Sequence, residues 1–345
     1  MAQRTQLSFA SFNLLNLNLP GKAIYRNTDG WSQEEFDRKV RWSAAKLNTM
    51  PSRVWGFQEL WHKDALTEVF KEAGLLDAYD LLTPPGHNGG SIVCAAAVEK
   101  GLLEGEPKWM VNFPEKLILQ SSGDDPQTPE MQINIDRFSR PALRFDIKPR
   151  SEGEPISVYV AHLKSKVPAG VWREGWYRDD TDFYKRHREH LGYTVSTVRR
   201  SAEASALRMF IVEELKDTDR PLVVIGDLND GQLSNTLNIL TGQPQYLVSG
   251  LSQGGTDTGL YTVATLEEYR SLRDVYYTHI YQNIKESLDH ILVSQEFYDA
   301  SRKRIWAYKG MEIANDHLNN DEHTETGTSD HGIIRASFEY RPIRV

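Results

Sequence analysis

Cysteine is nearly absent from this 345-residue chain, in which Cys94 stands alone. One thiol excludes an intramolecular disulfide and a zinc site built from cysteine pairs, and it fits a reducing compartment such as the cytoplasm. Long apolar runs are missing as well. No stretch approaches the roughly 18 residues of a membrane span, and the start Met-Ala-Gln-Arg-Thr-Gln lacks the apolar core of an ordinary export signal. Nor is there an excess of positive charge: 40 Lys and Arg against 48 Asp and Glu leave −8. The whole chain is therefore no basic coat for nucleic acid, and an anionic substrate must meet a local patch or a metal ion. What is present suffices for a sizeable core, with 39% hydrophobic and 10% aromatic residues. No repeat, low-complexity tract or Pro/Gly/Ser linker divides it, so a single domain over 1–345 is expected, with no obligate protein partner evident.

The most telling stretch is Pro-Leu-Val-Val-Ile-Gly-Asp-Leu-Asn-Asp, Pro221–Asp230. Leu222–Ile225 reads as a strand buried on both faces, ended by Gly226. Asp227 and Asn229 would then point to one side of an extended chain, a carboxylate beside an amide at the rim of a sheet. Ordinary turn chemistry accounts for the same residues without any function. The arrangement recurs, however. Leu7–Asn13 reads as a strand ending on Asn13, and Val54–Glu59 as one with Glu59 at its C-terminal end. Ile156–Ala161 is followed by His162, Asp289 opens an apolar run within Leu288–Ser294, and Asp330-His331 precedes the strand Gly332–Phe338. Strand ends and strand starts share one rim where strands run antiparallel, so a pair of mixed sheets would gather these groups in one cleft.

Helices are expected over 32–50, 64–73 and 196–215. The first has a Ser32–Glu35 capping box and turns Phe36, Val40, Ala44 and Leu47 inward; the third turns in Val198, Ala202, Leu207, Phe210 and Leu215. Asn13–Gly30 and Gln120–Pro129 read as loops, 101–129 as mixed, and Asn88–Val98 and Pro141–Ile147 as strands. His290 reads as structural, His317 and His323 as solvated, Asp257 and Asp274 as turn or salt-bridge residues, and Cys94 as inert core.

In order, Ser11-Phe-Asn13, Phe57-Gln-Glu59, Phe138-Ser-Arg-Pro141, Ala161-His-Leu163, Gly226-Asp-Leu-Asn229, Leu288-Asp289 and Ser329-Asp-His331 resemble the motifs of the endonuclease/exonuclease/phosphatase superfamily, the deoxyribonuclease I-like phosphoesterases. The resemblance spans nearly the whole chain. It implies an α/β fold of α+β type: a four-layer α/β/β/α sandwich of two packed mixed β-sheets flanked by helices. It also implies Mg²⁺, with Mn²⁺ able to substitute, held by Glu59 with Asn13 and Asp330 completing or buttressing the site. A hard cation wants carboxylate oxygen, and no His/Cys cluster has the spacing zinc prefers. Asp227 would orient or deprotonate the attacking water, while Asn229 and His162 donate to the phosphate. Asp289 and His331 resemble the family's carboxylate–imidazole pair, in which the carboxylate fixes the tautomer and favours the imidazolium. Arg140 would add phosphate contacts, or serve as a cross-strand salt-bridge partner, and Lys164, two residues after His162 and so on its face, is a candidate phosphate contact.

A long polar segment separates His162 from the third helix. Over 164–200 nine basic side chains stand against five acidic ones, an excess of four positive charges, interleaved with Trp172, Trp176, Tyr177, Tyr184 and Tyr193. Such an insertion suits a phosphate backbone and unpaired bases, or equally a lid packed on the body. The expected function is a Mg²⁺-dependent nuclease acting on DNA or RNA. The alternatives are a phosphatase or phosphodiesterase on a small phosphoester or lipid headgroup, of inositol phosphatase or sphingomyelinase type, and a non-catalytic scaffold.

Overall fold

A computed structural model describes residues 5–25, 28–124, 127–246, 255–270, 277–320 and 322–343. Its first large sheet takes β1 (Gln6–Leu17), β2 (Val54–His62), β3 (Tyr79–Leu82) and β4 (Asn88–Glu99). The second takes β5 (Leu103–Asn112), β6 (Arg137–Ile147), β7 (Ile156–His162), β8 (Leu222–Asp227), β9 (Tyr261–Thr262) and β10 (Asp289–Val293). The chain then returns to the first sheet with β11 (Trp306–Ala314) and β12 (Ile333–Tyr340). The strand orders are β11-β12-β1-β2-β4-β3 and β9-β10-β8-β7-β6-β5. The β1–β2 and β7–β8 pairs are parallel and the other pairs antiparallel, so both sheets are mixed.

The two sheets pack face to face through Phe9, Val54, Val158, Ile225, Ile291 and Phe338. They approach closely at Gly56, where a Cβ would stand 2.8 Å from Ile225. Outside the first sheet lie α1 (Gln33–Thr49) and α2 (Lys63–Glu72), whose Phe36, Leu47, Leu66 and Phe70 meet Phe12, Trp55 and Phe57. Outside the second lies α3 (Arg188–Leu215), packing Leu207, Ile211 and Leu215 on Tyr159, Val224 and Leu292. Each such buried side chain contributes about 1.5–3 kcal/mol, whereas an exposed ion pair contributes about 0–1. The three apolar layers therefore hold the sandwich together. The four-layer architecture is the one the motifs imply. Among the described residues, no helix is long and apolar enough to cross a membrane.

Several boundaries differ from the expectation, and the reasons are physical. β1 runs past Asn13 to Leu17, and β2 past Glu59 to His62, because their pairing resumes after an irregularity. α3 starts at Arg188, well ahead of Ser196, so the second half of the insertion is helix. Val198 faces solvent, and Phe210 is half-buried. Arg200 and Glu203 take inward positions instead, because each finds buried partners. β3, β5 and β11 were not foreseen, and the Gln120–Pro129 loop starts on a two-residue strand that pairs with Met131–Gln132. His317 is not solvated: its Nε2 lies 2.9 Å from the His331 carbonyl and its ring packs on Trp42. His323 bonds Thr328. Asp257 caps a turn by accepting from the Asp217 N–H, and Asp274 lies outside the described residues.

Candidate active site

The site is built on one row of the second sheet. β7, β8 and β10 are in register such that His162, Asp227 and Asp289 are lateral partners. Gly226, just before Asp227, sits so near β7 that a Cβ would meet the Ala161 carbonyl oxygen at 2.0 Å, so only glycine lets the strands pair there. From the first sheet come Asn13, Glu59 and the end of the β11–β12 connection, which carries Asp330 and His331 just before β12.

Asn13 and Glu59 do not mark strand ends. Each lies where the β1–β2 or β2–β4 ladder shifts register, and Glu59 itself takes φ +61°. Such bulges re-aim a side chain next to a site. Here the Glu59 carboxylate turns to accept the Asn16 N–H at 3.1 Å, while Asn16 is gripped by the indoles of Trp31 and Trp61. Asn229 also has a left-handed backbone, φ +54°. Conformations of this kind cost about 1–3 kcal/mol each in a non-glycine residue and persist where surrounding bonds over-determine them.

Asp227 is the hub. Its Oδ2 accepts the Asn13 amide at 3.1 Å and lies 3.4 Å from His162 Nε2 and 3.8 Å from His331 Nε2; its Oδ1 accepts the Asn229 N–H at 3.0 Å. His331 Nδ1 is 2.8 Å from Asp289 Oδ2. His162 Nε2 stands 4.0 Å from Glu59. Leu163, next along, receives Arg140 at 3.2 Å and the Asn229 amide at 3.1 Å on its carbonyl. Arg140 thus bonds a backbone carbonyl at the site rather than a cross-strand carboxylate. One amide hydrogen of Asn229 is committed to this bond, which leaves the second for another acceptor.

Lys164 does not reach this cluster by any hydrogen bond. Its ammonium curls back to the Ser165 carbonyl and hydroxyl and the Val167 carbonyl, because the chain turns sharply once the Lys164 N–H is captured by Glu203 at 2.7 Å. Burial and then the nearby Arg140 push it down to about 8. In the rest of the insertion Tyr177 is buried, while Trp172, Trp176, Phe183 and Tyr193 are partly exposed. The rings of Trp176, Tyr177, Tyr184 and Phe183 pack on one another, and Arg188 lies over Trp172.

The environment separates the protonation states. Burial holds the carboxyls of Glu59 and Asp227 above the usual range, reinforced for Glu59 by Asp330. Burial and then Arg140 push His162 well below its ordinary value, leaving a neutral imidazole. Burial opposes charge on His331 too, but Asp289 and Asp227 together outweigh it and hold the imidazolium. Two imidazoles in one cleft therefore sit in opposite charge states, the kind of division that acid–base chemistry uses.

The acidic groups suit a hard cation. Asp330 Oδ1 and Asp289 Oδ1 are buried without a hydrogen-bond partner among the described residues. Donor atoms of Asp227, Asp289 and His331 lie within 4.8 Å of one another, as do those of His279, Asp330 and His331. The first group is the protonated His331 with its carboxylates, which leaves Asp330 and Glu59 as the better oxygen donors.

Three contributors escaped the sequence reading. His279, on the hairpin His279–Tyr281/Ile284–Glu286, packs its ring 5.0 Å from His331 and is kept neutral by burial and that neighbour. Glu203, fully buried, clamps the Ser139 and Lys164 N–H groups. Lys39, also fully buried, bonds the Thr328 carbonyl at 2.7 Å between the rings of Trp31 and Trp42. Its place three residues after Phe36, on the inward stripe of α1, was a readable signal.

Burial pushes Lys39 down to about 7, against the pull of Asp330 and Glu59. Unfolded, it keeps its proton to about pH 10. Between these values the unfolded chain holds the extra proton, so stability rises with pH from about 7 and is poorest below it. Lys39→Met should therefore stabilise the protein at pH 6, by about 1–4 kcal/mol, and less at pH 9. Urea unfolding at both values checks it; an equal gain at both would show that the ammonium carries no burial penalty.

A four-layer sandwich of two mixed sheets with a carboxylate–imidazole cluster at one end is the architecture of the deoxyribonuclease I-like fold. The chain belongs to the Endonuclease/Exonuclease/phosphatase family, whose model matches residues 10–331. Members are phosphoester hydrolases and are generally dependent on a divalent metal. Its fold is similar to that of the human Nocturnin catalytic domain with bound sulfate (TM-score 0.56, 15% identity, covering 99% of this chain and 97% of that one). It is also similar to an endonuclease/exonuclease/phosphatase family protein of Bacteroides thetaiotaomicron (0.54, 14%, 98% and 99%). A third similar structure is a mannosyl-6-phosphatase from the same species (0.54, 14%, 96% and 99%). No curated protein matches the sequence.

Proposed function

We propose that this chain, acting as a single domain, is a Mg²⁺-dependent hydrolase of phosphodiester bonds in DNA or RNA, at work in the cytoplasm. The observation that carries the reading is the in-register row His162–Asp227–Asp289 with His331 bonded to Asp289. Glu59 and Asp330, with Asn13 as buttress, would hold the ion, which when bound supplies charge stabilisation at a phosphoryl oxygen. Among the described residues Asp227 is the one carboxylate within ion-pairing distance of both His162 and His331, and it takes the proton of the attacking water. Water oxygen joins phosphorus as one ester P–O bond breaks, and the leaving alkoxide departs with the bonding pair and takes a proton from solvent. The His331 imidazolium and the free amide hydrogen of Asn229 donate to the phosphoryl oxygens, with His162 donating from its neutral ring. Arg140 holds the Leu163 carbonyl and adds positive charge beside them.

A small phosphomonoester is the second reading, favoured by the similarity to a mannosyl-6-phosphatase. One panel separates them: purified protein with Mg²⁺, Mn²⁺ or EDTA against plasmid, single-stranded DNA, RNA, bis-p-nitrophenyl phosphate, sphingomyelin, inositol phosphates and mannose 6-phosphate. Cleavage of nucleic acid that EDTA abolishes is expected. Intact nucleic acid with turnover of a monoester or lipid would replace the first reading by the second, and no turnover at all would favour a scaffold.

A further inference from the structure

Beside Asp330 opens a cavity of about 440 Å³ lined by Ile280, Gln282, Asn283, Lys285, Leu318 and Asn319, with His323 and Asp330. Its first wall is the hairpin that also carries His279. In that hairpin Ile280 and Lys285 are cross-strand partners, and so are His279 and Glu286 one step along. Alternation places the two pairs on opposite faces. One face thus meets the catalytic cluster through His279 against His331, while Glu286 takes the Lys166 ammonium at 2.6 Å. The other face gives Ile280 and Lys285 to the cavity. The hairpin is a partition between the acid–base cluster and a separate pocket that shares Asp330 with it.

The pocket's chemistry is specific. Its size suits one nucleotide-sized unit. Three carboxamides offer both donors and acceptors, matched to the ring and ester oxygens of a sugar–phosphate unit, and only two aliphatic side chains are present, too few to cover a lipid tail. Lys285 is exposed, forms no ion pair among the described residues, and rests 4.4 Å over the Tyr277 ring. Its ammonium is therefore not neutralised by any described carboxylate. Asp330 repels an anion placed against it, so a phosphate in this pocket belongs at Lys285 and the uncharged sugar lies toward Asp330.

We propose that this pocket is a subsite for the sugar–phosphate unit flanking the scissile phosphate of a polynucleotide, with Lys285 contacting the neighbouring phosphate. The inference rests on the phosphodiesterase reading and adds to it a second phosphate contact, outside the catalytic row.

Binding is measured with cleavage blocked, by fluorescence anisotropy of a short fluorescein-labelled single-stranded DNA in EDTA, across about 50–200 mM salt. Lys285→Ala should weaken binding about tenfold at the low end and reduce the slope of log affinity against log salt by about 0.7, the loss of one phosphate contact on a single strand. Lys285→Arg should restore both. An unchanged slope, or a wild-type protein that does not bind the strand, overturns the subsite. Competition by mannose 6-phosphate that is lost in Lys285→Ala would assign the pocket to a free sugar phosphate, and that outcome overturns it too. Hydrolysis of bis-p-nitrophenyl phosphate by the wild type with Mg²⁺ judges the catalytic reading separately, because that diester carries no second phosphate.

Discussion

Replacing Asp227 by Asn should lower kcat on a phosphodiester by about 10³-fold, within the range a positioned general base commands. The substitution keeps the shape of the side chain and removes only its basicity. Its structural cost is bounded by two contacts, since Asp227 accepts from the Asn13 amide on one oxygen and from the Asn229 N–H on the other. A carboxamide has one accepting atom and satisfies one of them, losing a bond of about 1 kcal/mol. Against that loss stands the burial that raises the carboxyl of Asp227 in the folded state. A raised carboxyl costs stability at every pH above its unfolded value of about 3.9, where the unfolded chain ionises more readily. Asn escapes this cost, so its relative stability should improve from pH 5 to pH 8 while its activity is lost at both. Single-turnover rates and urea unfolding at the two values test the two halves independently. A kcat within tenfold of wild type would remove Asp227 from the role of base.

The polar rim at β7, β8 and β10 is legible because each group there borders an apolar run whose length alone betrays a buried strand. Val223–Ile225 before Asp227, Val158–Ala161 before His162 and Ile291–Val293 after Asp289 are continuous rather than alternating, as strands covered on both faces must be. Their mutual register was not legible. It depends on the closeness that Gly226 allows between β7 and β8, a contact remote in sequence. Asn13 and Glu59 lie at the cleft, but on bulges within β1 and β2 rather than at the strand ends the apolar pattern predicts. A bulge leaves no mark in a hydrophobic pattern, and the left-handed backbone at Glu59 depends on surrounding contacts such as Asn16, itself held by Trp31 and Trp61. Lys164 shows the opposite failure. Period-two alternation placed it on the face of His162, but β7 ends at His162 and Glu203 on α3 captures the next turn. His279 and Lys285 lie on strands of three residues, too short for a period to show, and the Gln282–Asn283 turn between them was the one available sign.

Loss of His331 is expected to rank beside loss of Asp227. His331→Ala should reduce kcat by about 10²–10⁴-fold, since its imidazolium faces Asp227 across the cleft from the first sheet. The sharper test leaves the imidazole in place and changes its partner. Burial disfavours the charged ring, and Asp289 leads the groups that overcome it, which keeps His331 protonated to a pH above the ordinary histidine value of about 6.5. Activity that needs the imidazolium is therefore present below the raised pKa and falls as pH climbs through it. Stability follows the same sign: the pairing contributes fully below the unfolded value and is lost as pH rises past the folded one. Asp289→Asn removes the leading charge and keeps an acceptor 2.8 Å from Nδ1 in the wild-type geometry, so the ring stays oriented while burial regains the upper hand. The alkaline limb of kcat/KM against pH should move to lower pH, and at pH 8 turnover should fall further than at pH 6. His331→Ala has no such limb to move. If the limb stays in place in Asp289→Asn, another group titrates there, and the phosphate donor must be sought in His162 or Arg140 instead.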